Sequence, residues 1–227
     1  MILNSKSLFS TFGLLIIALT VLGVTYAHWS DTVTIEGTVH MGELIVGILN
    51  DSLTYYETTN GVPEEDFTPS KPWVANATIT LSDFETSTHH TPPQTVAKKL
   101  TMLFENAYPQ WDVHIEFILK NAGTIPAVLV NTTFSGFDET DGEDLSFRVD
   151  IEVYNDTIGA WIIEGALVDP AGEVMNVRIV AYVPEDWQLE PCHEYPVVVD
   201  IDFKQTAEEC HTYTFSLVLD FVQWNKA

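Results

Sequence analysis

Residues 112–120 read DVHIEFILK, and their alternation decides the fold class. Successive side chains of an extended chain point to opposite faces, so Val113, Ile115, Phe117 and Leu119 share one face, as a half-buried strand requires. The same period of two recurs outward from this stretch. Residues 146–154 align Phe147, Val149, Ile151 and Val153; residues 176–183 align Val177, Ile179, Ala181 and Val183; residues 212–222 align Tyr213, Phe215, Leu217, Leu219 and Phe221. Towards the N-terminus, residues 32–41 (TVTIEGTVHM) put Val33, Ile35, Val39 and Met41 on one face. Weaker strands are expected at 76–81, 98–105, 127–134, 161–164 and 197–203. At 96–104, Val96, Leu100, Leu103 and Phe104 also suit one helical face; the alternation of Leu100, Met102 and Phe104, followed by the turn-like Asn106-Ala107-Tyr108-Pro109, favours strand. Short strands with Gly, Pro and Asn turns and little helix predict an all-β protein, an antiparallel β-sandwich of jelly-roll or immunoglobulin-like type, preceded by a signal helix. The polar stretches 50–71 and 85–94 read as surface loops.

Composition limits the function classes. With 33 acidic and 9 basic residues among 227, the net charge is −24, a field that repels phosphate backbones and anionic lipid. Nucleic acid and membrane surfaces are therefore not expected partners. At 46% hydrophobic residues the chain is too apolar for a disordered acidic tail.

Lys6 precedes the uncharged run FGLLIIALTVLGV at 12–24, and Thr25-Tyr26-Ala27 supplies small residues where a signal peptidase needs them. Cleavage after Ala27 is expected, giving a secretory signal at 1–27 and an extracellular or cell-surface protein with no membrane contact after cleavage. An uncleaved anchor is the alternative.

Candidate chemistry is sparse. Cys192 and Cys210 suit a disulfide in an oxidising exterior. Each precedes a His, which raises a zinc alternative, but neighbouring side chains on an extended chain point apart. Residues 138–144 (DETDGED) hold five carboxylates around Gly142, so Asp138, Asp141 and Asp144 are candidate calcium ligands, with a solvated turn as the simpler reading. Asn76, Asn131 and Asn155 open glycosylation sequons. No HExxH, Gly-x-Ser-x-Gly or phosphate-cradling glycine loop is present, so no catalytic residue and no other cofactor is expected.

Short blocks carry a family resemblance: Ala27-His28-Trp29-Ser30-Asp31 leading into Ile35-Glu36-Gly37-Thr38-Val39-His40-Met41-Gly42, then Asn106-Ala107-Tyr108-Pro109, then residues 117–126 (FILKNAGTIP), and finally Phe221-Val222-Gln223-Trp224-Asn225. These resemble the archaeal branch of the TasA/camelysin-like exported proteins. The resemblance implies a jelly-roll-like subunit of an extracellular filament, a pilus or biofilm matrix fibre, built by donor-strand complementation from identical or homologous subunits placed head to tail. It assigns Val33, Ile35, Gly37, Val39 and Met41 to the donor-strand interface. The camelysin peptidase activity is not carried over, because the zinc motif is missing. The expected organisation is a signal at 1–27, a donor strand and glycine hinge at 28–47 and a β-domain at 48–227; a monomeric surface-binding module is the alternative.

Overall fold

The computed structural model describes residues 14–17, 42–59, 62–63, 75–88, 91–170, 172–204, 207 and 210–226. Residues 14–17, inside the expected signal, form a helical turn. The strand expected at 32–41 lies outside the described residues, as do His89 and His90. None of the described helices is long and apolar enough to cross a membrane.

A second compact unit begins at Gly42 and consists almost entirely of strand. In chain order these are β1 (Val46–Leu49), β2 (Thr54–Thr59), β3 (Val62–Pro63), β4 (Asn76–Ser87), β5 (Gln94–Ala107), β6 (Trp111–Asn121), β7 (Ala127–Asp138), β8 (Glu143–Asn155), β9 (Ala160–Asp169), β10 (Gly172–Ala181), β11 (Gln188–Leu189), β12 (Glu194–Phe203) and β13 (His211–Gln223). The expected sandwich is not what forms. The strands close into a 9-strand antiparallel barrel in the order β1-β5-β13-β7-β8-β9-β10-β12-β6, with β6 returning to β1. Closure depends on β1, which pairs with β5 through Ile48↔Ala97 and with β6 through Val46↔Asn121 and so joins the two ends of the sheet that a sandwich would leave apart. Alternation along one strand is the same in either architecture, because both have one face turned inward. Strands β2, β3 and β4 lie outside the ring, on β6, β2 and β5.

The interior is lined by the expected faces. Val113, Ile115, Phe117 and Leu119 of β6, Val197, Val199, Ile201 and Phe203 of β12, and Tyr213, Phe215 and Leu217 of β13 are buried. Residues 98–105 are strand, and Leu100, Met102 and Phe104 have no exposed surface. Each such side chain contributes roughly 1.5–3 kcal/mol by leaving water. The expected loops are partly strand: β2 and β3 arise within 50–71, and residues 85–87 complete β4.

The glycines read as a hinge are packed instead. Gly47 sits inside β1, where an added Cβ would stand 2.3 Å from the Ala97 carbonyl oxygen, and one on Gly42 would meet the Ile125 side chain at 2.1 Å. Glu43 N donates to Thr124 Oγ1 at 2.8 Å, and Ile45 O accepts from Ala122 N and Gly123 N. Residues 42–47 therefore belong to the barrel wall, and the glycines permit close approach of backbones.

Outside the wall, Tyr56 of β2 stacks on His114 of β6 with ring centroids 4.6 Å apart. The imidazole faces two carboxylates, Asp200 at 2.6 Å from Nδ1 and Glu116 at 2.9 Å from Nε2. Burial pulls its pKa down, but hydrogen bonds to Glu116 and Asp200 and their negative charge outweigh that, and the net shift is upward from 6.5. A group raised on folding stabilises the fold fully below its unfolded pKa, here 6.5, and loses that contribution as pH rises through the higher folded value. Thermal melts are expected to show a fall in Tm across that window that is absent from His114→Gln. The same fall in the variant would assign it to another group.

Candidate functional site

Two long neighbours in the barrel, β7 and β8, are paired over only a short part of their length. These strands run 12 and 13 residues, yet pair only through Gly136↔Leu145, Phe137↔Asp144 and Asp138↔Glu143. Beyond Gly136 they part. β7 keeps β13 on one side along its length, with β11 against Ala127 and Val128 on the other; β8 keeps β9 on one side. The facing edges, 129–135 of β7 and 146–155 of β8, have no partner strand among the described residues. A cleft of about 500 Å³ opens between them, lined by Phe134, Phe147, Val149, Ile163, Ile179 and Trp187, with Leu129 and Val130 on the β7 side.

Sequence chemistry explains each wall. Phe134 and Phe147 meet at 4.8 Å where the strands begin to part, and Phe134 continues to Phe215 in the core at 6.3 Å. Trp187 projects from a turn in which its N–H donates to Pro184 O at 2.9 Å, and its φ of +54° is one that bulky residues rarely adopt. Its ring stacks on Trp161 at 5.9 Å, whose indole N–H donates to the carbonyls of Pro184 and Glu185. The strain at Trp187 is thus held by a double anchor that aims the ring into the cleft.

One sequence expectation is corrected here. Val149, Ile151 and Val153 were expected on a half-buried face, yet they are 47–49% exposed, and Val130 opposite is 50% exposed. The bulge between Val149 and Ile151 breaks the alternation: Phe147, Val149 and Glu152 share the cleft face with Leu167, Gly165 and Ile163 of β9, whereas Ile151 and Val153 lie with Glu164 and Ile162 on the opposite, outer face. The apolar side chains lining the cleft, beside two unpaired backbone edges, mark an interaction site, and what fits it is an extended segment adding main-chain hydrogen bonds. The lining contains one carboxylate, Glu152, with no histidine or cysteine.

The other expected site residues are placed as follows. Val33, Ile35, Gly37, Val39 and Met41 lie outside the described residues. Cys192 and Cys210 are both exposed and unbridged, contrary to the expected disulfide. Cys192 N bonds Asn121 O at one end of β12 and Cys210 N bonds Ala107 O at the other. The 10 residues of β12 between those ends span roughly 33 Å, several times a disulfide's reach. The calcium trio is also not assembled. Asp138 Oδ1 accepts from the backbone N–H of Thr140 and Asp141, and Oδ2 pairs with His211 Nδ1 at 2.8 Å. The groups that converge are Asp138, Asp141 and His211, while exposed Asp144 pairs along β8 with Phe137. Asp138 so bonded ties the 139–142 turn to β13. Asn76 donates to Glu105 at 3.0 Å, and Asn155 Oδ1 accepts from Thr157 N at 3.0 Å. Asn131 donates to Asp220 at 3.2 Å and borders the cleft, so a glycan there would obstruct it.

The cleft, with Trp187 and the exposed face of β8, was not found from the sequence; the available signal was the alternation of β8 itself. Comparison with protein-family models, curated proteins and solved structures finds no match to this chain.

Proposed function

We propose that the protein is a non-enzymatic structural subunit of an extracellular filament, a pilus or biofilm matrix fibre, in which residues 32–41 of one copy complete the barrel of another. The observation that carries this reading is the cleft between β7 and β8, with two unpaired edges and an apolar lining. Its β8 edge, 146–155, is as long as the alternating segment 32–41, and both are long enough for a stable ladder. The donated strand would bring Val33, Ile35, Val39 and Met41 out of water, roughly 1.5–3 kcal/mol each when fully buried. Gly37 interrupts that face opposite a cleft crowded by aromatic rings. Export through the signal at 1–27 would free the segment, and the resemblance to TasA/camelysin-like proteins points the same way.

Electron microscopy of residues 28–227 against residues 42–227 tests the reading. Filaments are expected from the first and none from the second. Equal filaments from both would overturn strand donation, and a stable monomer from the first at high concentration would favour a monomeric surface-binding module.

A further inference from the structure

The two ends of the cleft differ, and the chain joins the barrel at only one of them. At one pole β7 begins at Ala127 and β8 ends at Asn155, and there the strands stand apart. Gly42, Glu43 and Ile45 lie at this same pole, bonded to 122–124, and β1 starts there with Val46 opposite Asn121. Gly42, where the barrel unit begins, therefore lies at the open end of the cleft. At the other pole the three β7–β8 pairs and the 139–142 turn shut it, held by Asp138 and His211.

A strand placed between antiparallel neighbours is parallel to one and antiparallel to the other. The two choices lead to different assemblies. With the Met41 end at the open pole, the donor's barrel would meet the acceptor open pole to open pole. The acceptor's own segment emerges at that same place, so exchange becomes reciprocal and closes as a two-fold dimer. With the Met41 end at the shut pole, the donor's open pole abuts the acceptor's shut pole. The contact is then heterologous and repeats with every added copy.

Resting on the filament reading, we propose that residues 32–41 of one copy lie in the cleft of the next parallel to β7 and antiparallel to β8, with Val33 near the open pole and Met41 near the shut one. Strand polarity is what separates a growing fibre from a closed dimer in this fold. It also sets Cys192 of one copy and Cys210 of the next on abutting poles, so both are replaced by serine in the test.

In a Cys192→Ser, Cys210→Ser background of the mature chain, copies carrying Val33→Cys or Val39→Cys are mixed with copies carrying Glu152→Cys or Val149→Cys, both of which line the cleft, and treated with a short bis-maleimide. Glu152 lies towards the open pole and Val149 towards the shut one. Cross-linked pairs are expected for 33 with 152 and for 39 with 149, within filaments. Pairs of 39 with 152 and 33 with 149, in particles of two copies, would overturn the proposed polarity. Filaments with none of the four pairs would overturn occupancy of this cleft while leaving the filament reading intact; absence of filaments from the unmodified mature chain would remove both. Should a β8 variant unfold, Val130→Cys and Ser135→Cys on β7 report the same two ends.

Discussion

Val149→Asp is expected to leave the barrel folded and to raise the concentration at which the mature chain polymerises by roughly 100-fold, about 2.8 kcal/mol at 1.4 kcal/mol per factor of ten. Val149 is 49% exposed in the free barrel, so a carboxylate there reaches water and costs the fold little. Once a donated strand fills the cleft, the same carboxylate is enclosed beside Phe147 and Phe134 with no cation among the lining residues. A buried charge lacking a partner costs several kcal/mol, which is why the effect falls on assembly and spares folding. Sedimentation across a dilution series measures it, with circular dichroism confirming the fold. An unchanged polymerisation threshold would mean that Val149 faces water in the fibre too.

Trp111→Ala is expected to destabilise the barrel by about 3–5 kcal/mol, a large part of the 5–15 kcal/mol that domains possess. The indole is 1% exposed at the start of β6. It stacks on Phe203 at 5.1 Å and on Tyr108 at 6.1 Å and meets Phe104 edge-on at 5.8 Å, so its removal empties the centre of an aromatic cluster shared by three strands and a turn. Urea denaturation reads the loss as a lower midpoint. Trp224→Ala, at a residue 52% exposed, serves as the contrast and is expected to stay within about 0.5 kcal/mol of the parent. A similar small shift at Trp111 would show that the cluster closes over the void.

How far the fold is legible from residue order depends on what each strand meets. The strands at 112–120, 197–203 and 212–222 alternate because one face enters the core, and the structure extends each without moving its face. Closure was not legible, because it rests on β1, four residues (VGIL) without alternation that pair on both sides. β2, reading TYYETT, is polar because it lies outside the ring, and its polarity imitates a loop. The face of β8 was misread: the extra residue of the bulge between Val149 and Ile151 sends Ile151 and Val153 to the face opposite Phe147 and Val149, and an alternating letter pattern does not reveal that residue. The cysteine pairing followed from compartment chemistry, which does not register a ten-residue strand separating the thiols. His211 joins Asp138 and Asp141 only through the β7–β13 ladder, a contact that spacing along the chain does not reveal.

The central claim is that a neighbour's residues 32–41 fill the cleft between β7 and β8, and a cryo-electron microscopy reconstruction of the assembled fibre tests it most directly. The expected density is a ten-residue strand between 129–135 and 146–155, hydrogen-bonded to both edges and continuous with the barrel of an adjacent copy. An empty cleft within a well-resolved fibre, or a cleft filled by the subunit's own segment, would contradict it.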